Sequence, residues 1–193
     1  MDRRWVLGGI LLASGYGFIR AVVSRPRFSE SSRVLLIGDS MAQGLLPHLR
    51  GLASQEEIAY IGAGLPGTTI SQWVASDWLK RKLAEFRPTH VLIALGTNDA
   101  FSGLAPSTVA ASAQKLAQGV SESGAAAIWI GAPSLPEKYT GKRPDADVLQ
   151  EVKSVSPYYF SSEEYVIPRG PDGLHPSAAG YAGWAGAIWN WLK

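Results

Sequence analysis

Apolar residues along this chain fall into short, nearly continuous runs, separated by longer stretches in which they recur every three or four positions. Val34 to Ile37, Ile58 to Ile61, Val91 to Leu95 and Ala126 to Ile130 are runs of the first kind. Their length and composition predict buried strands, and Tyr165 to Ile167 predicts a weaker fifth. The spaced pattern predicts helices near residues 42–54, 70–86, 108–123 and 145–155. A last helix should follow Pro176, with Tyr181, Trp184, Ile188 and Trp191 on one stripe. Strands that are apolar throughout need cover on both faces. Strand–helix alternation of this kind therefore predicts a three-layer α/β/α sandwich around a parallel sheet of about five strands. In such folds the sites lie on loops at the carboxyl ends of the strands.

Composition changes the picture at one end only. The sequence holds 193 residues, 46% hydrophobic and 18% charged, with no cysteine. That is room for one well-packed domain, and it excludes a disulfide framework, a thiolate metal site and a cysteine nucleophile. Six arginines fall in residues 1–33 against Asp2 and Glu30, and the rest of the chain carries 12 Lys and Arg against 14 Asp and Glu. The net charge of +2 thus hides a slightly acidic body without a basic stripe, and nucleic acid is not an expected partner. The head, "MDRRWVLGGILLASGYGFIRAVVSRPRF", sets two arginines before an uncharged run from Trp5 to Ile19. With Arg20 snorkelling, Trp5 to Val23 would reach about 28 Å as a helix, nearly a bilayer. Residues 1–23 are expected to be a signal-anchor that holds the domain on the periplasmic side of the cell membrane, or else a cleaved signal peptide that releases it. Residues 24–32 read as a linker and 33–193 as the folded domain.

The carboxyl ends of the expected strands carry the chemistry. They read "GDSMAQG" after the first, "GAGLPGTT" after the second and "GTNDAF" after the third, with "PDGLHPS" after the weak fifth. Each piece has a plain structural reading. Ser40 can cap the helix that follows it, Asn98 can sit in a turn, Asp172-Gly173 is a turn signal, and His175 can be an exposed loop residue. Together they are the ingredients of acyl transfer on one sheet edge. A serine hydroxyl becomes nucleophilic when a neutral histidine takes its proton. A carboxylate on the other ring nitrogen fixes the tautomer and stabilises the imidazolium. Backbone N–H groups and a side-chain amide then stabilise the tetrahedral oxyanion.

This constellation resembles the SGNH, or GDSL-type, hydrolase family, over roughly residues 33–193. The blocks that carry it are "GDSM", "GTND" and "DGLH", in that order. The resemblance implies a flavodoxin-like fold and a serine esterase working through an acyl-enzyme without a cofactor. It implies Ser40, Asp172 and His175 as catalytic residues, and the N–H groups of Ser40 and Gly67 with the Asn98 amide as the oxyanion hole. Two positions depart from the pattern: Met41 replaces the usual Leu, and Gly62 stands where the second block often has Asn.

Other readings compete with it. Gly62, Gly64 and Gly67 spell G-x-G-x-x-G, but a dinucleotide turn belongs after the first strand, with an acid at the end of the next strand. Here the next strand ends in Leu95-Gly96. The α/β-hydrolases share the order Ser, Asp, His but place the serine in G-x-S-x-G, which Gly38-Asp39-Ser40-Met41-Ala42 does not match. His48, His90 and His175 lack ligand spacing, so no metal is expected. A non-catalytic module binding a glycan or protein is the rival from another class.

For substrate, the family resemblance admits lipids, thioesters, aryl esters and acetylated sugars. The compact domain and the rim "SLPEKYTGKRP", with Lys138, Tyr139, Lys142 and Arg143, favour a small acyl group on a hydroxyl-rich or acidic carrier such as an O-acetylated envelope glycan. Trp73, Trp78 and Trp129 are expected to pack helices onto the sheet; if they lined a pocket instead, lipase or thioesterase activity would follow.

Overall fold

The computed structural model describes residues 25–193. The expected signal-anchor, residues 1–23, lies outside the described residues. Among those described, no helix is long and apolar enough to cross a membrane.

Five parallel strands form the sheet: β1 (Arg33–Gly38), β2 (Ala59–Gly64), β3 (His90–Ala94), β4 (Ala126–Ile130) and β5 (Tyr158–Phe160). Their order is β2-β1-β3-β4-β5. Seven helices connect and cover them: α1 (Ser40–Gln55), α2 (Ile70–Val74), α3 (Asp77–Phe86), α4 (Thr97–Ala100), α5 (Pro106–Glu122), α6 (Ala146–Val155) and α7 (Ala178–Leu192). The period-two pleat divides each strand between two cores. Val34, Leu36, Leu92 and Ile128 face α1 and α7, where Leu45, Leu49, Trp184 and Ile188 meet them. Leu35, Ile37, Val91, Ile93 and Trp129 face the other layer, with Trp73 of α2, Leu79 of α3, Val109 of α5 and Val148 of α6. Leu35 and Leu36 are both fully buried. Truncating either to alanine should cost about 2–5 kcal/mol, which is why the run cannot be one-sided.

Two expectations need correction. The fifth strand is Tyr158–Phe160, not Tyr165 to Ile167: Val166 is 98% exposed, whereas Phe160 is buried and pairs through Ile130 with β4. Three residues at a sheet edge leave almost no pattern to read. The single helix expected over 70–86 is two, because Ser76 leaves helical geometry and accepts the Leu79 N–H to start α3. Trp73 and Trp129 are packed into the core as expected, with Trp129 donating to the Leu95 carbonyl at 3.0 Å.

The three glycines around β2 now have a reason: a Cβ on Gly62 would lie 2.9 Å from the Leu36 carbonyl oxygen. A Cβ on Gly64 would lie 2.2 Å from the backbone nitrogen of Gln43, so α1 can cross β2 only over glycine. Gly67 has φ of +78° and turns the chain with open space around it.

Residues 25–32 lie against the amino ends of the strands. Phe28 donates its N–H to the Leu192 carbonyl, packs its ring tilted against Trp189 at 4.5 Å and meets His90, the first residue of β3, edge-on at 5.1 Å. Arg25 lies over the Trp191 ring.

Candidate active site

The chain leaves β1 for β2 on one side of the sheet and enters β3 on the other, which opens a crevice at the carboxyl ends of β1 and β3. Ser40 lies at this point, half-buried, as the first residue of α1. It is not the helix cap. Asp39 is, through Oδ1 accepting the Met41 N–H at 2.8 Å. The Ser40 hydroxyl is thereby left for other partners, and its N–H, one of the helix's free first-turn donors, has no acceptor among the described residues.

The second component arrives on the loop between β5 and α7. Gly170 donates to the His175 carbonyl at 2.7 Å and Ser177 to the Pro168 carbonyl at 2.8 Å, which closes the loop on itself. The Arg169 guanidinium donates to the Leu174 and Ser134 carbonyls and ties the loop to the end of β4. Within the loop, Asp172 Oδ1 accepts the N–H groups of Leu174 and His175 at 3.0 and 2.9 Å. Asp172 Oδ2 lies 2.5 Å from His175 Nδ1, and His175 Nε2 lies 2.8 Å from Ser40 Oγ. The His175 side-chain bond, then its backbone N–H, holds the Asp172 carboxyl below its ordinary pKa, so this acid stays ionised. The order hydroxyl, imidazole, carboxylate is the one that proton removal from serine requires.

The third component faces Ser40 from the β2 and β3 loops. The Gly67 N–H has no acceptor among the described residues. Asn98, on the first turn of α4, donates through Nδ2 to the Thr68 carbonyl at 2.9 Å and to Asp39 Oδ2 at 3.2 Å. The next residue, Asp99, is buried and accepts the Ile70 N–H at 3.2 Å. Asn98 and Asp99 thus fasten the Gly67 turn from both of its downstream sides. Hydrogen bonds join Ser40, His175 and Asp172 directly, and they bring Asn98 to Asp39, next to Ser40, and to the carbonyl of Thr68, next to Gly67.

Two further acids belong to the site and carry no signal in their sequence blocks. Asp39 is fully buried and Asp99 nearly so. Burial pushes Asp39 up to about 7, with Asp99 adding to the rise, and pushes Asp99 up to about 6. Nothing in the sequence shows this, because the burial comes from β3 and α7 folding over the first block.

Residues 36–182 match the GDSL-like Lipase/Acylhydrolase family. The chain belongs to that family. A curated relative of this acylhydrolase is Esterase TesA of Pseudomonas aeruginosa, 26% identical over 191 residues, covering 90% of this chain and 94% of the relative. Among solved structures, the psychrotrophic esterase EstA from Pseudoalteromonas is similar with a TM-score of 0.67 at 20% identity, covering 83% of this chain and 96% of the other. A peptidoglycan O-acetylesterase has a TM-score of 0.62 at 22% identity, covering 70% of this chain and 46% of the other. The chain is an esterase of SGNH type with the fold of these neighbours. The acylhydrolase also has a cavity of about 710 Å³, but it lies between α3 and α5 at the amino ends of the strands, lined by Leu83, Arg87 and Gly124. It is not lined by any of Ser40, Asp172 and His175, so chemistry rather than size marks the site.

Proposed function

We propose that Ser40 is the nucleophile of an acyl-enzyme mechanism and that the substrate is a short acyl ester on a hydroxyl-rich carrier, such as an O-acetylated envelope glycan. The Ser40–His175–Asp172 relay carries the first part. Ser40 Oγ attacks the ester carbonyl while His175 Nε2 takes its proton. The oxyanion is met by the N–H groups of Ser40 and Gly67 and by the Asn98 amide. Collapse breaks the ester bond, and His175 returns the proton to the departing alcohol. Water then repeats the cycle on the acyl-enzyme and releases the acid.

The carrier is argued from what surrounds the site. Trp73 and Trp129 are spent on the core and cannot shelter an acyl chain. The rim loop is polar, with Glu137 paired to Arg143 at 2.8 Å and Lys142 reaching the Phe101 carbonyl. One neighbour of the same fold is a peptidoglycan O-acetylesterase. The competing lipase or thioesterase reading has its own support in Leu65 and Leu104, 52% and 47% exposed on the loops that carry Gly67 and follow Asn98. A series of p-nitrophenyl esters from acetate to decanoate separates the two, together with acetate release from O-acetylated glycans. A steep fall in kcat/KM beyond butyrate with acetate release fits the glycan reading; a maximum at octanoate or longer sinks it. Fluorophosphonate labelling of Ser40 separates either from a binding module, which would stay unlabelled.

An envelope location is part of this reading, and it rests on residues 1–23 alone. Fractionation should find the full chain with membranes; recovery wholly from the cytosol removes that part.

A further inference from the structure

Asn98 has two amide hydrogens, and both are taken. One goes to the Thr68 carbonyl at 2.9 Å and the other to Asp39 Oδ2 at 3.2 Å. An amide in that state has nothing to offer an oxyanion until one bond lets go. The Thr68 bond is the shorter and holds the Gly67 turn in place, so the bond that yields is the one to Asp39. We propose that Asp39 is a positioning residue of the oxyanion hole, and that the proton it carries decides whether the Asn98 amide is released to the reacting oxygen.

Two effects point the same way. A carboxylate accepts a charge-assisted hydrogen bond, roughly twice as strong as the one a neutral acid accepts, so ionised Asp39 retains the amide. The released hydrogen is the one that Asp39 Oδ2 accepts, so the oxyanion would also form within about 5 Å of that oxygen. A second negative charge at that separation in a dry site opposes the transition state. Neutral Asp39 removes both obstacles.

The surroundings make the neutral form accessible. Asp39 is fully buried, and no cation pairs with it among the described residues. The groups that face it are the Met41 N–H on its own helix, the Asp99 carboxyl and Asn98 amide on α4, and the Tyr181 phenol on α7. The Asp172–His175 pair lies across Ser40, on the other loop. The Met41 N–H, Asp39's own N–H and the Asn98 amide favour the carboxylate; burial, with Asp99 adding to it, outweighs them and raises Asp39 to about 7.

The inference rests on acyl transfer at Ser40, so each protein is first labelled with fluorophosphonate, which reports that reading separately. The test is kcat/KM for p-nitrophenyl acetate between about pH 5.5 and about pH 9. In the native enzyme it should pass through a maximum and fall about tenfold or more to a lower plateau as Asp39 ionises. In Asp39→Asn, which is uncharged at every pH, the alkaline fall should vanish. Asn98→Ala, with no amide to retain, should flatten the fall as well as lower the rate. A native profile that only rises to a plateau overturns the proposal, and needs no variant to fold. So does an alkaline fall that persists unchanged in Asp39→Asn or in Asn98→Ala.

Discussion

Two aspartates flank Ser40, and they are treated in opposite ways. Asp172 sits on a loop at the surface, accepts two backbone N–H groups and the His175 ring, and is held in its charged form. Asp39 sits beneath the crevice, accepts one backbone N–H and one amide, and is pushed towards neutrality by burial. The difference lies in solvent as much as in partners. An exposed carboxylate keeps its hydration and adds donors to it, whereas a buried one must replace hydration with donors it lacks. One loop sets a permanent charge beside the His175 ring, and the other holds the Asn98 amide with a group that burial keeps from being permanently charged.

Substitutions test this contrast at several strengths. The largest effect should come from Asp172→Ala, which leaves His175 without its orienting charge; kcat should fall on the order of 10³- to 10⁴-fold with KM little changed. A loss below tenfold would mean that the loop backbone, not the carboxylate, orients the ring. Asn98→Ala removes the proposed oxyanion donor and should lower kcat about 10²- to 10³-fold near neutral pH. If KM moved instead of kcat, Asn98 would be binding ground-state substrate.

The buried side of the contrast should also appear in stability. Asp99 is raised to about 6 from 3.8, so its contribution is complete below the unfolded value and is lost as pH rises through the folded one. The native protein should therefore unfold at lower urea concentration at pH 8 than at pH 5, and Asp99→Asn should narrow that gap. A gap of equal size in the variant would assign the pH dependence elsewhere. The smallest effect belongs to Gly67→Ala. Its Cβ meets open space, but φ of +78° is strained for alanine, so a cost of about 1 kcal/mol and a few-fold loss of kcat are expected. Loss of all activity would show that the turn tolerates no relaxation.

How much of this was readable in the sequence follows the same divide. Ser40, Asn98, Asp172 and His175 each sit in a contiguous block whose spacing survives folding, so the first two come off strands that are neighbours in the sheet and the last two share one loop. The core strands were legible for a similar reason, since four or five apolar residues in a row have few other places to go. The fifth strand failed because Tyr158–Phe160 is too short to show a period, while exposed Val166 imitates one. The charge states of Asp39 and Asp99 failed more deeply. They depend on Tyr181, Ile70 and Ala94 converging from three parts of the chain, and no local pattern encodes that meeting.

The seating of Phe28 on Trp189 and His90 also fixes where the domain can be held. The chain enters at the amino end of the sheet, and Ser40 opens at the carboxyl end, a strand of six residues away, or about 20 Å. A bead, a fusion partner or a bilayer joined ahead of residue 25 therefore grips the protein by its base and leaves the mouth pointing outward. Immobilisation through this terminus should leave turnover of a bulky polymer the same as in free solution. Coupling through the loop at residues 134–143, beside the crevice, should hinder that polymer while sparing p-nitrophenyl acetate.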